Sequence, residues 1–223
     1  NIEPLRQTHD LRDTAHLFRP QRAWRFRWNK NTDTPLPADE PAGQNPPDGA
    51  IVDYWLPTSA SEVTLEIFDS AGALVRRYTN HDPITPIADT GNVPSMWIRP
   101  QRVLSTQPGM HRFVWDLHYP PVAAKTVSYP IAAIVHDTPP NPSSPLAMPG
   151  EYSVRITVDG RVLTQPLVLQ MDPRVKTPHE GLAQQFGESM KVYARLREKP
   201  EDDTLRSLLD RLQSADTAPS SQL

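Results

Sequence analysis

The sequence predicts a mainly β fold: an immunoglobulin-like or fibronectin-like β-sandwich with Pro-rich loops, followed by a C-terminal helical hairpin. Three observations carry that prediction. About seven short segments alternate apolar and polar residues with the period of a strand. Proline is abundant, at 26 of 223 residues, which disfavours long helices and central strands and suits short strands joined by extended loops. After residue 172 the apolar spacing changes to that of helices.

Taken in order, residues 1–22 are polar and irregular, with weak helical character at best. Trp24, Phe26 and Trp28 then alternate with Arg25 and Arg27, which reads as a strand with its rings in the core and its arginines, Arg22 included, solvated or lying over rings. Residues 29–49 form a long Pro/Asn/Asp-rich loop. Ile51 to Leu56 is a strand stopped by Pro57, and Val63, Leu65 and Ile67 mark the next. Asp69 to Gly72 is a turn, and Ala73 to Thr79 the returning arm. Residues 80–109 make a Pro-rich excursion before Met110 to Leu117, a strand with Phe113, Trp115 and Leu117 on one face.

A further Pro-rich excursion covers residues 118–149. Tyr152, Val154, Ile156 and Val158 then face one way, and Asp159-Gly160 is the two-residue hairpin turn in which both residues reach positive φ. Arg161 to Met171 returns, and Pro166 assigns it an edge position or a bulge. Thr177-Pro178-His179-Glu180 signals a helix start, with Thr177 as N-cap. Leu182, Phe186, Met190, Tyr193 and Arg197 trace one helical stripe; Leu205, Leu208, Leu209 and Leu212 trace a second beyond Pro200. Residues 214–223 are polar and read as a frayed end. The expected organisation is an N-terminal arm with one strand (1–49), the sandwich (50–172) and the helical hairpin (173–223).

Composition excludes some functions. The formal net charge is −3, from 23 basic and 26 acidic residues, without the basic excess that nucleic-acid binding requires. No apolar run reaches membrane-spanning length. Cysteine is absent, which removes disulfides and thiol chemistry. Asn1 stands where an initiator Met would, so the chain is expected to be a fragment or a processed form.

No nucleophile elbow, phosphate loop or zinc-hydrolase motif is present. His111, Asp116, His118, His136 and Asp137 are the only grouping suggestive of a metal, but the odd separations of His111 from Asp116 and His118 place them on opposite sides of a regular strand. Asp53, Glu66, Asp69 and Asp116 supply carboxylates, each with an ordinary structural reading. Neither catalytic residues, metal ligands nor cofactors are therefore assigned. Trp24, Trp28, Trp55 and Trp97 are the candidates for carbohydrate or interdomain contact. Leu182, Phe186, Met190, Tyr193, Leu205, Leu208, Leu209 and Leu212 are most simply two helices packing on each other, with an assembly face as the alternative.

Two resemblances extend this reading. The run Ile51 to Pro57, the run Val63 to Gly72, Gly109 to Asp116 and Pro149 to Tyr152 resemble the immunoglobulin-like domain of the flagellar-hook-cap type. More widely, Trp28-Asn29, Asn31 to Pro37, Asn45 to Ala50, Tyr129 to Ala133, His136 to Pro139, Met171 to Val175 and Leu208 to Asp210 resemble the C-terminal region of large bacterial proteins with sortilin-like or BNR-type β-propellers, often labelled glycosyl hydrolases. That resemblance spans nearly the whole chain. It implies a periplasmic or extracellular accessory region that braces or docks a propeller lying before residue 1, or mediates assembly. A glycan and a second copy of the chain are the other partners it admits. Any glycosidase site would lie in the propeller. The stretch between Arg197 and Leu205 is short for that family, and no catalytic residue carries over.

Overall fold

The computed structural model describes residues 3–7, 13–27, 41, 43, 47–84, 86–87, 93–123, 129, 136–141 and 143–219. Trp28 and most of the 29–49 loop lie outside these residues. The described chain is mainly β, with two sheets sharing one core and two helices at the C-terminal end. The three-stranded sheet has the order β1 (His16–Leu17), β3 (Ala50–Leu56), β6 (Gly109–Trp115). The five-stranded sheet has the order β2 (Ala23–Arg25), β8 (Arg161–Met171), β7 (Gly150–Val158), β4 (Val63–Asp69), β5 (Leu74–Thr79). A short helix, α1, covers Glu3–Arg6.

The alternation in sequence becomes the core as expected. Val52, Tyr54 and Leu56 from β3 and Phe113 and Trp115 from β6 face Val63, Leu65 and Ile67 from β4, Tyr152, Val154, Ile156 and Val158 from β7, and Leu167 and Leu169 from β8. Aromatic rings bridge the sheets: Trp115 meets Tyr152 edge-on at 5.6 Å, and Tyr78 meets Phe113 at 4.6 Å. Each fully buried side chain of this size contributes roughly 1.5–3 kcal/mol before conformational entropy is subtracted.

The turns follow their residues. Asp159 and Gly160 sit at φ 46° and 86°, joining β7 to β8, as the two-residue hairpin requires. Asp69 Oδ1 accepts from the backbone N–H groups of Ala71 and Ala73, at 3.0 and 2.8 Å, and so closes the β4–β5 turn. Pro166 pairs with Ser153 without a register shift, and β2 joins the other side of β8 only from Leu169 onward. Pro166 therefore occupies an edge position, where its missing N–H costs no ladder bond.

Four expectations are corrected. Residues 1–22 contribute a strand, because His16 and Leu17 pair with Trp55 and Tyr54 at the edge of the smaller sheet. The faces of β2 are inverted: Ala23 and Arg25 are buried at 5% and 1% exposure, while Trp24 is 42% exposed. Thr177 does not cap the first long helix, α2 (His179–Glu198); Pro178 is its N-cap, and the Thr177 hydroxyl donates instead to the carbonyl of Asp216 at 2.5 Å. Residues 214–219 are not a frayed end, since Asp216 is buried and bonded.

Two polar residues lie in the buried line of α2. Leu182, Gln185, Ser189, Val192, Tyr193 and Leu196 form that line, rotated away from the expected stripe of Phe186 and Met190, which stay half-buried. The second helix, α3 (Asp203–Leu212), starts on Asp202, whose side chain accepts from Leu205 N–H. Its last turn explains the polar residues. Gln185 Nε2 donates to the carbonyls of Leu212, at 2.6 Å, and Ala215, and Gln213 Nε2 donates to the Ser189 hydroxyl at 2.7 Å. The carbonyls at a helix C-terminus lack intrahelical partners, and α2 supplies them.

The helices pack on each other and on the Pro-rich excursions. Val122 joins Leu196, Leu209 and Leu212 in a second core, and Tyr119 packs against both cores. Tyr193 Oη donates to the Pro120 carbonyl at 2.7 Å, and Arg76 Nη1 to that of Tyr119 at 2.8 Å. The two excursions are tied together: Arg99 N–H donates to Thr138 O, and Thr138 N–H to Trp97 O, both at 2.9 Å.

Burial holds the phenols of Tyr54, Tyr78 and Tyr152 above their ordinary range, Tyr54 up to about 12. The Tyr54 hydroxyl also donates to the Ser105 carbonyl and accepts from its N–H, both at 2.8 Å. A phenol that keeps its proton more tightly when folded contributes stability that is intact below the unfolded value of 10.0 and lost as the pH rises through about 12. Ultraviolet titration should therefore show these phenolates appearing together with loss of the folded circular-dichroism signal. Their ionisation near pH 10 in a chain that stays folded would contradict this.

Candidate functional site

The four tryptophans singled out in the sequence do not converge. Trp24 projects from β2 on the outer face of the five-stranded sheet, because its neighbours Ala23 and Arg25 point inward. Trp55 is half-buried and projects from β3 on the outer face of the opposite sheet, in register with His16 and Met110. Trp97 is half-buried in the 3-10 turn Ser95–Trp97 of the first excursion. Trp28 lies outside the described residues. Trp115 is wholly buried, and its Nε1–H donates to the His118 carbonyl at 3.0 Å.

Of the helical residues, Leu182, Tyr193, Leu209 and Leu212 are buried within the chain, whereas Phe186, Met190, Leu205 and Leu208 are half-buried. Of these residues, Tyr193, Leu209 and Leu212 lie in the core that the two helices share, with Met190, Leu205 and Leu208 packed against it.

Most of the ionisable residues weighed for chemistry are held by structural partners. Asp53 receives a two-pronged bond from Arg112, at 2.8 and 3.1 Å. Glu66 pairs with Arg155 at 2.8 Å, on the far side of the sandwich from Asp53. Asp116 accepts from the backbone of His118 at 3.1 Å, and His118 Nδ1 lies 2.8 Å from the Asp116 carbonyl. His111 Nε2 lies 2.6 Å from the Gln107 carbonyl. His136 occupies a turn at φ 57°, its N–H donating to Met96 O. Among the described residues, no three histidines or carboxylates are grouped so as to hold a metal ion.

The outer face of the five-stranded sheet carries the main exposed apolar surface on regular strands. Trp24, Leu74, Val162 and Val168 are 42%, 49%, 56% and 39% exposed. Alternation along β4, β5, β7 and β8 adds Phe68, Thr157, Thr164, Gln170 and the Glu66–Arg155 pair to the same face. Arg155 lies over the Phe68 ring at 4.3 Å. The face thus mixes free apolar side chains with an ion pair and short hydroxyls.

Behind β2 lies a cluster that the sequence did not reveal. Arg25 Nη1 donates to the Ala147 carbonyl at 2.9 Å, and its Nη2 donates to Asp216 Oδ1 at 2.5 Å. Arg27 Nη2 reaches the same oxygen at 3.0 Å. Burial pushes the Arg25 guanidinium below its ordinary value, and Asp216 offsets part of that shift. His118, on the side of Arg27, is likewise held below its ordinary value by burial. The only sequence trace of this site is the arginine alternation itself; its acidic partner stands 191 positions from Arg25 along the chain.

No family model matches the chain, and no curated protein matches it. Among solved structures, the chain is similar to CopC from Methylosinus trichosporium OB3b at 13% identity, over 58% of this chain and 81% of that one, with a TM-score of 0.25. A likeness that loose carries nothing about chemistry.

Proposed function

We propose that the chain is a non-catalytic accessory region of a larger exported bacterial protein, an immunoglobulin-like sandwich that docks onto the parent's β-propeller. The reading rests on the resemblance to sortilin-like and BNR-type propeller proteins. The observation that carries it is a contrast in how side chains are used. The acids weighed for catalysis, together with His111 and His118, are taken up by turns, strand pairs and backbone groups. The outer face of the five-stranded sheet, meanwhile, leaves Trp24, Leu74, Val162 and Val168 open to a neighbour. A periplasmic or extracellular location belongs to the same proposal. Among the described residues no helix is long and apolar enough to cross a membrane.

The test has two parts. The purified chain is assayed against polysaccharides and aryl glycosides; turnover overturns the proposal. It is then titrated with the separately expressed propeller, and Trp24→Ala should weaken binding about tenfold, as removing an aromatic anchor does. The same change should alter stability by no more than about 0.5 kcal/mol, since the ring packs in neither core.

A second reading is favoured by the exposed ring of Trp24 beside Gln170 on the outer sheet face: stacking on a sugar. Retention on an insoluble polysaccharide, lost in Trp24→Ala, would support it over docking.

A further inference from the structure

Two guanidinium groups share one carboxylate oxygen of Asp216, in a site where the Arg25 and Asp216 side chains are 2% and 4% exposed. Among the described residues, the Nε–H groups of Arg25 and Arg27 also lie out of water with no acceptor. Buried donors without acceptors are rare in folded proteins, and each points to a partner worth identifying. The Arg27 side chain is 29% exposed, so the cluster opens to solvent there. Tyr152 faces Arg25 from β7, while Asp48, Asp116 and His118 lie on the side of Arg27. Of these, Asp116 is engaged by the backbone of His118.

We propose that this cluster binds a small oxyanion, a carboxylate, sulfate or phosphate group, which enters along Arg27 and shares the guanidinium groups with Asp216. Planar guanidinium forks are matched to such anions, and partial burial strengthens the pairing relative to water. The proposal stands apart from the docking face, because Arg25 and Trp24 point to opposite sides of β2.

Thermal unfolding of the intact chain in sodium acetate, sulfate or phosphate, against sodium chloride at equal ionic strength, tests it. At about ten times the dissociation constant, a bound anion should raise Tm by about 3–6 °C, saturably. The rise should vanish in Arg27→Gln and persist in Arg22→Gln, whose arginine is exposed nearby. The anion giving the largest rise distinguishes a carboxylate ligand from a sulfate or phosphate one. An equal rise in Arg27→Gln, or no rise with any of the three, overturns the proposal. If Arg27→Gln does not fold, the Arg27 Nε–H resonance of the wild-type chain serves instead: it should shift on adding the anion, and a resonance that stays fixed overturns the proposal.

Discussion

Asp216→Ala is expected to destabilise the chain by about 3–5 kcal/mol, the usual effect of leaving a buried charge without its partner. Arg25 is 1% exposed and, among the described residues, holds one other acceptor, the Ala147 carbonyl. Without Asp216 its charge stays buried and Arg27 loses the same carboxylate. Denaturant unfolding measures the loss, and limited proteolysis should show the segment after α3 released first. The double change Arg25→Met, Asp216→Leu should recover most of the stability, because an apolar pair of similar volume removes the desolvation cost with the attraction. A loss under about 1 kcal/mol in Asp216→Ala would show that the pair is not coupled to folding.

Gly49→Ala should be nearly as damaging. Gly49 precedes β3 at φ 132°, and an added Cβ would stand 2.1 Å from the Trp115 carbonyl oxygen and 2.9 Å from its carbon. Both are backbone atoms of a paired strand, since Ala50 is in register with Trp115, so no flexible side chain can give way. Backbone strain of about 1–3 kcal/mol adds to overpacking of about 1–3 kcal/mol. Gly160→Ala is the control: its φ is 86° with nothing within 4 Å, so the backbone term alone should cost about 1–2 kcal/mol. Equal effects of the two substitutions would rule out the close approach at Trp115 as the cause.

The strands that pack in the common core were legible because burial on one face imposes a period of two on Tyr152 to Val158, on Val63 to Ile67 and on Phe113 to Trp115. The same rule misassigned β2. Trp24 and Arg25 alternate as a core strand should, but the choice of buried face was set by Asp216, which no local window contains. Thr177 misled for the same reason: a hydroxyl ahead of a helix is an N-cap by default, and here the Asp216 carbonyl accepts its proton instead. Gln185 and Ser189 broke an apolar stripe because they serve the end of another helix. The distribution of Trp24 and Trp55 over opposite faces depended on sheet topology, which no local window carries. The charge cluster, built from distant segments, left almost no local signature.

The bond between Arg25 and Asp216 also fixes an order of events during synthesis. Arg25 leaves the ribosome 191 residues before the carboxylate that neutralises it, a delay of roughly 10–40 s at ordinary elongation rates. Its strand cannot pair with β8 until Leu169 to Met171 have emerged, later still than the antiparallel hairpins. The first strand of the larger sheet in sequence is therefore among the last to be seated, and a nascent chain stopped short of Asp216 carries an unclosed sheet edge with Trp24 beside it.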